Sequence, residues 1–118
     1  MKNHQFTQIF LQQVSLCEDV LVVKAKEYAT ADRLHNFRVA AALEGTTPKQ
    51  ALSGMMAKHT VSIYDMINSD EKFPTEVWTE KITDHINYLM LLKAFVVEEY
   101  EDPNQTELGT YLPSSENY

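Results

Sequence analysis

Turn-forming residues are too scarce in this chain for anything but a few long helices. It has three glycines and four prolines in 118 residues, and Pro103 and Pro113 both lie in the C-terminal stretch. A sandwich or barrel needs turn residues every ten or so positions, and the body of this sequence does not provide them. The reading is therefore all-α: a compact bundle of about four helices in one domain over residues 1–101, completed by oligomerisation, with a polar tail over 102–118.

Hydrophobic periodicity and helix-end signals place the elements. Phe6, Phe10, Val14, Cys17 and Leu21 recur at three- and four-residue spacing, so a first helix is predicted from about Asn3 or Thr7 to about Lys26. Thr30 or Asp32 then caps a short helix that ends before Gly45, a residue suited to the left-handed position after a C-terminus. Thr47 followed by Pro48 marks the start of a third helix, which runs to about Asn68. After a loop at Ser69–Phe73, Pro74 and Thr75 open a fourth helix that reaches Glu99 or Tyr100. The segment from Asp102 is polar, contains Pro and Gly, and is read as a tail dispensable for folding.

The formal charge of −7 sets limits on partners. An acidic chain repels phosphate backbones, and its ten Lys and Arg are scattered, so no nucleic-acid partner is expected. A nucleotide remains a fitting ligand where a divalent cation bridges the two negative partners. Cys17 is the lone cysteine, which suits a reducing compartment, and the polar N-terminus lacks the apolar core of a secretion signal. Uninterrupted apolar runs such as Val20–Val23 and Tyr88–Leu92 are short, so no membrane partner is expected and the location is read as cytoplasmic.

The fourth helix carries the residues that look out of place. Trp78, Ile82, Ile86, Leu89 and Val96 share one face, and Glu80, Asp84 and Asn87 fall opposite. That opposite face continues as Leu91 and Phe95, so the second half is apolar nearly all round. A helix of this kind in a four-helix chain needs a further neighbour, which a symmetric partner supplies. Glu80 and Asp84 thus stand at i, i+4 where a buried stripe begins, and two carboxylates so placed repel unless a cation sits between them. Hard oxygen donors suit Mg²⁺ or Mn²⁺. A solvated acidic face balanced by Lys81 and Lys93 is the commoner arrangement and stays open.

On the third helix Lys58, Ser62 and Asp65 share one face, and Leu52, Met56, Ile63 and Met66 share another. The first set is either an ordinary polar face or a cation and a carboxylate lining a cleft. The methionines are core fillers. His59 lies near the apolar stripe and reads as a packed histidine rather than a ligand. No glycine-rich phosphate loop or nucleophile elbow is present in the sequence.

Four runs, taken in order, carry a resemblance: Lys26-Glu27-Tyr28-Ala29, Asp32-Arg33-Leu34-His35-Asn36-Phe37, Met55-Met56-Ala57-Lys58-His59, and Glu80 to Tyr88 with its acid-x-x-x-Asp-x-x-Asn-Tyr pattern. The chain resembles, over roughly residues 15–99, small phage proteins related to the all-α MazG-like nucleoside triphosphate pyrophosphohydrolases, and the nucleotide-modification-associated proteins of phages. The resemblance implies a helical dimer or tetramer, in a bacterial host's cytoplasm where the chain is phage-encoded. It implies Mg²⁺ held by carboxylates and cleavage of a nucleotide between its α and β phosphates. On that basis Glu80 and Asp84 are the metal residues, although the family spacing Glu-x-x-Asp is one residue shorter. The family's Glu-Glu-x-x-Glu motif is missing, and its helix offers Lys58 and Asp65, taken as the catalytic pair, with Glu27 as a further ligand or base. Tyr28, Asn36 and Tyr88 are taken to line the nucleotide pocket. The alternative is a non-catalytic phage protein that binds a nucleotide or blocks a host factor.

Overall fold

The computed structural model describes residues 1–23 and 32–101. These form four α-helices, with no strand among the described residues: α1 (Asn3–Glu18), α2 (His35–Glu44), α3 (Pro48–Asn68) and α4 (Thr75–Tyr100). The all-α bundle expected from the turn-residue count is what the chain adopts. Glu27, Tyr28 and the expected tail from Asp102 lie outside the described residues.

The helix ends follow from local chemistry. The Thr47 hydroxyl accepts from the Gln50 N–H at 3.2 Å, and the Gln50 side chain accepts from the Thr47 N–H at 2.9 Å. This reciprocal box fixes the first turn of α3, and Pro48 fills a position whose N–H has no helical partner. Asp32 does not cap α2 as expected: the N-cap is Leu34, with no side-chain cap, and the Asp32 carboxylate accepts from the Leu34 N–H at 3.0 Å in the turn before the helix. Gly45 ends that helix at φ 69°, where a side chain would be strained. α1 passes without a break into one π-helical turn, Asp19–Val23.

The core lies where α2, α3 and α4 meet. Leu34, Phe37, Leu52 and Phe95 are buried there, with Met55, Tyr88, Leu91 and Leu92 packed around them. Leu52 is 0% exposed, and Phe37 meets Phe95 edge-on at 5.9 Å. Aromatic rings prefer this arrangement because the positive edge of one faces the negative face of the other. On α3, Leu52 and Met66 are buried and Met56 and Ile63 half-buried, so the stripe read from the sequence is the packed one.

The two apolar sides of α4 differ in burial. Ile82 and Leu89 are exposed and Trp78, Ile86 and Val96 on the same face half-buried, while Thr83, Asn87 and Phe95 are buried. Periodicity identifies two faces but not which of them meets a neighbour. The first helix departs further. None of its residues is buried, and Phe6 and Phe10 are 61% and 56% exposed. With its π turn it forms one helix of 21 residues, Asn3–Val23, which is long and apolar enough to cross a membrane by length and composition alone. Counting uninterrupted apolar runs overlooks this, because Gln8, Gln12 and Gln13 interrupt the run without adding charge.

Candidate functional site

Three acidic residues of α4, Glu76, Glu80 and Asp84, are spaced four apart and so lie one above another on a single helix face. They line a cleft of about 430 Å³, closed on its far side by Leu16 and by Val20 of the π turn. Thr79 and Thr83 share the cleft, and Thr83 ties it together. The Thr83 hydroxyl donates to the Thr79 carbonyl at 2.7 Å and accepts from the Gln13 amide at 2.8 Å. Gln13 also donates to the Cys17 sulfur at 3.4 Å. A buried hydroxyl needs such partners, and here they clamp α1 to the acid-bearing turn of α4.

Asp84 has a second environment. It also lines a smaller pocket of about 240 Å³, together with Arg33, His59, Asn87, Tyr88 and three aliphatic residues, Val20, Leu21 and Leu91. Val20 and Asp84 are therefore common to both cavities.

Inside the smaller pocket the His59 ring lies 4.8 Å from the Tyr88 ring, tilted at 45°. Burial raises the Tyr88 hydroxyl above its ordinary pKa, and the nearby Asp84 carboxylate adds to the shift. Tyr88 is thus neutral and a hydrogen-bond donor across the physiological range. Asn87 is 5% exposed, and neither its amide nitrogen nor its oxygen has a hydrogen-bond partner among the described residues. The Nδ1 atom of His59 is in the same condition.

A third hollow of about 370 Å³ runs between α1 and α4 and is lined mainly by apolar side chains, among them Phe10, Val14, Leu21, Ile86 and Met90. It lies on the side where Ile82, Leu89 and Met90 are exposed.

The residues expected from the sequence divide into two groups. Glu80 and Asp84 share one cleft, and Tyr88 lies beside Asp84 in the other. Lys58 and Asp65 are exposed on α3, Asn36 is exposed in the first turn of α2, and none of the three lines either cavity. Tyr28 and Glu27 fall outside the described residues. Sequence reasoning gave no role to Glu76, Arg33 or Asn87, and it took His59 for a packing residue. His59 does pack, against Tyr88, but it also lines the pocket, and its buried Nδ1 has no partner among the described residues. The available signal was spacing: Glu76 and Glu80 repeat the interval that singled out Glu80 and Asp84, and Asn87 precedes Tyr88 directly.

Set against known proteins, the chain matches no family model, no curated protein and no solved structure.

Proposed function

We propose that this chain is a divalent-metal-dependent hydrolase that converts a (deoxy)nucleoside triphosphate to the monophosphate and pyrophosphate, working as a homodimer or homotetramer in the cytoplasm. The observation that carries the reading is the position of Asp84, on the wall common to an acidic cleft and a pocket lined by Arg33, His59, Asn87 and Tyr88. A nucleotide has the same two-part character. Its phosphates need cations, and its base needs a pocket with hydrogen-bonding groups and an apolar lining. The smaller pocket, at about 240 Å³, is below the ~300 Å³ at which sites for whole drug-sized ligands begin. It fits a base, with the phosphates continuing past Asp84 into the cleft of about 430 Å³.

The acidic donors fit Mg²⁺ or Mn²⁺. Among the described residues no cluster of three or more His, Cys, Asp or Glu stands close enough to cage a metal. Mg²⁺ does not require a cage: it keeps several waters and is commonly held by one or two carboxylates together with substrate phosphates. Glu80 and Asp84 are those two carboxylates. Bound there, the cation supplies charge neutralisation and Lewis acidity.

The protein's own groups do the positioning. Thr83, held by Gln13 and Thr79, fixes the turn that carries Glu80 and Asp84. Arg33 lines the same pocket as Asp84, and its planar guanidinium suits a phosphate oxygen pair in shape and charge. Glu76, the third carboxylate lining the cleft, is the group we assign to accept a proton from the attacking water. Lys58 and Asp65 have no part in this arrangement.

The character of α1 supports a second copy. From Asn3 to Cys17 that helix has no Lys, Arg, Asp or Glu, within a chain of net charge −7. Two such chains repel over most of their surface but not along this neutral, apolar strip. An isologous contact there covers Phe6, Phe10 and the outward side of α4.

Pyrophosphate release from a panel of ribo- and deoxyribonucleoside triphosphates, with Mg²⁺ or Mn²⁺, tests the reading. At least one should be hydrolysed, and Glu80→Gln and Asp84→Asn should each reduce turnover a hundredfold or more. No release from any triphosphate overturns the hydrolase. Nucleotide binding retained without release leaves a non-catalytic nucleotide-binding protein.

A further inference from the structure

Asn87 has a carboxamide with two donor hydrogens and an acceptor oxygen, and it sits 5% exposed with none of them used among the described residues. Buried polar groups in folded proteins are nearly always paired, and an orphaned one costs the full loss of its hydration. Two orphaned atoms on one side chain, and a third on His59, lie buried in the wall of the same pocket without a counterpart, where Asn87 also borders the apolar hollow between α1 and α4. A leucine would pack at this position at no such cost, so the amide is not there for the fold.

We infer that Asn87 reads the hydrogen-bonding edge of a nucleobase, and that the pocket of Asn87, His59 and Tyr88 is the base subsite. The inference rests on the nucleotide reading above and adds to it the residue that selects the substrate. The chemistry is specific. A planar amide presents a donor and an acceptor side by side, and the edge that satisfies both is another planar pair of acceptor and donor. Every nucleobase has such an edge; a sugar phosphate has none. The tilted His59 and Tyr88 rings supply aromatic surface beside it. The Tyr88 hydroxyl offers a further donor in the same pocket. A site that pairs a buried polar group with its ligand rejects the analogue lacking the match strongly, because rejection leaves that group unpaired.

The test is binding without catalysis. The full chain is titrated in the presence of a chelator with the four common nucleoside 5′-monophosphates and with ribose 5-phosphate. At least one nucleotide should bind tenfold or more tightly than ribose 5-phosphate, and Asn87→Leu should abolish that preference while leaving ribose 5-phosphate binding unchanged. The leucine variant should melt at or above the wild-type temperature, since it removes the orphaned amide and keeps the volume. If that variant does not fold, the wild type still decides: the Asn87 side-chain amide resonances should move on adding the preferred nucleotide and stay fixed on adding ribose 5-phosphate. Equal binding of nucleotide and ribose 5-phosphate by the wild type overturns the inference. So does a base preference that survives in Asn87→Leu, or an Asn87 amide indifferent to the base. The two readings fail separately. Pyrophosphate release with a base preference independent of Asn87 removes this subsite and keeps the hydrolase. A base preference that depends on Asn87, without pyrophosphate release, supports the subsite and removes the hydrolase.

Discussion

Towards α2 and α3, helix α4 closes Phe95 against Phe37 and Leu52 with almost nothing exposed. Towards α1, the same helix holds Thr83 through one glutamine and leaves Ile82, Leu89 and Met90 facing outward. The first region is packed as a core and has a single evident task, which is stability. The second contains the acidic cleft, the orphaned Asn87 and most of the uncovered apolar surface. Polar groups without partners and apolar groups without neighbours both cost stability when a chain stands alone. On the function proposed above, that seam is completed from outside, by a ligand at one end and by a second copy along α1.

The sharpest way to break this comparison is to delete side chains on either side of it. Leu52→Ala should cost about 2–5 kcal/mol in urea unfolding, as removal of a buried leucine does, and the cost should not vary with protein concentration. Phe10→Ala should behave differently. At concentrations where the chain is monomeric it should cost about 0.5 kcal/mol or less, as an exposed substitution does. Where the chain associates, the cost should rise towards the core value. Light scattering gives the companion measurement: a particle of two or four times 13.6 kDa for the wild type, and 13.6 kDa for Phe10→Glu. A wild type that stays at 13.6 kDa into the high micromolar range removes the second copy from the seam.

The next largest effect is at the acids. Excess Mn²⁺ should stabilise the wild type by about 2.7 kcal/mol when present at a hundred times its dissociation constant. Asp84→Asn should lose that gain, and without metal it should be as stable as the wild type or slightly more so, because like charges at i, i+4 repel by a few tenths of a kcal/mol. Thermal melts of both proteins, with chelator and with Mn²⁺, read this directly. A wild type that ignores the metal makes the face of Glu76, Glu80 and Asp84 a solvated acidic surface. A gain that survives in Asp84→Asn moves the metal elsewhere.

The same contrast governs how much could be read from the sequence. The Thr47–Pro48 start, the Gly45 stop and the limits of α4 were legible because each depends on residues within a few positions. The i, i+4 relation of Glu80 and Asp84 is likewise local. Burial of Asn87 is not, since it depends on α1 and α3 arriving on the Asp84 side of α4. Spacing put Lys58 and Asp65 on one face, but only tertiary structure shows that this face is turned to solvent. For Ile82 and Leu89 spacing gave a shared face but not its surroundings: α4 is apolar on two sides, and only tertiary structure shows these two exposed.

The smallest effect tests the well-packed side of the comparison at its rim. Arg38 donates to Asp32 at 2.7 Å and to Glu98 at 2.6 Å, and its guanidinium carbon lies 5.7 Å from the centre of the Phe95 ring. It joins the start of α2 to the end of α4, but all three charged groups are more than a third exposed. Screening by solvent therefore limits the contribution, and Arg38→Met should cost only about 0.5–1 kcal/mol near neutral pH. The pH dependence gives the cause. The Arg38 hydrogen bond, aided by the Leu34 N–H, holds the Asp32 carboxyl below its ordinary value of 3.8. A carboxyl that is more acidic when folded stabilises the fold fully above its unfolded pKa, and the benefit fades as pH falls through the folded value. The gap between wild type and Arg38→Met should hence be constant above about pH 5 and narrow as the pH drops below 3.8. It should also shrink in 1 M salt, where the screening length is about 3 Å. A gap that ignores both pH and salt would assign the effect to the guanidinium lying on Phe95. Arg38 would then belong to the core it borders and not to an ion-pair network on its surface.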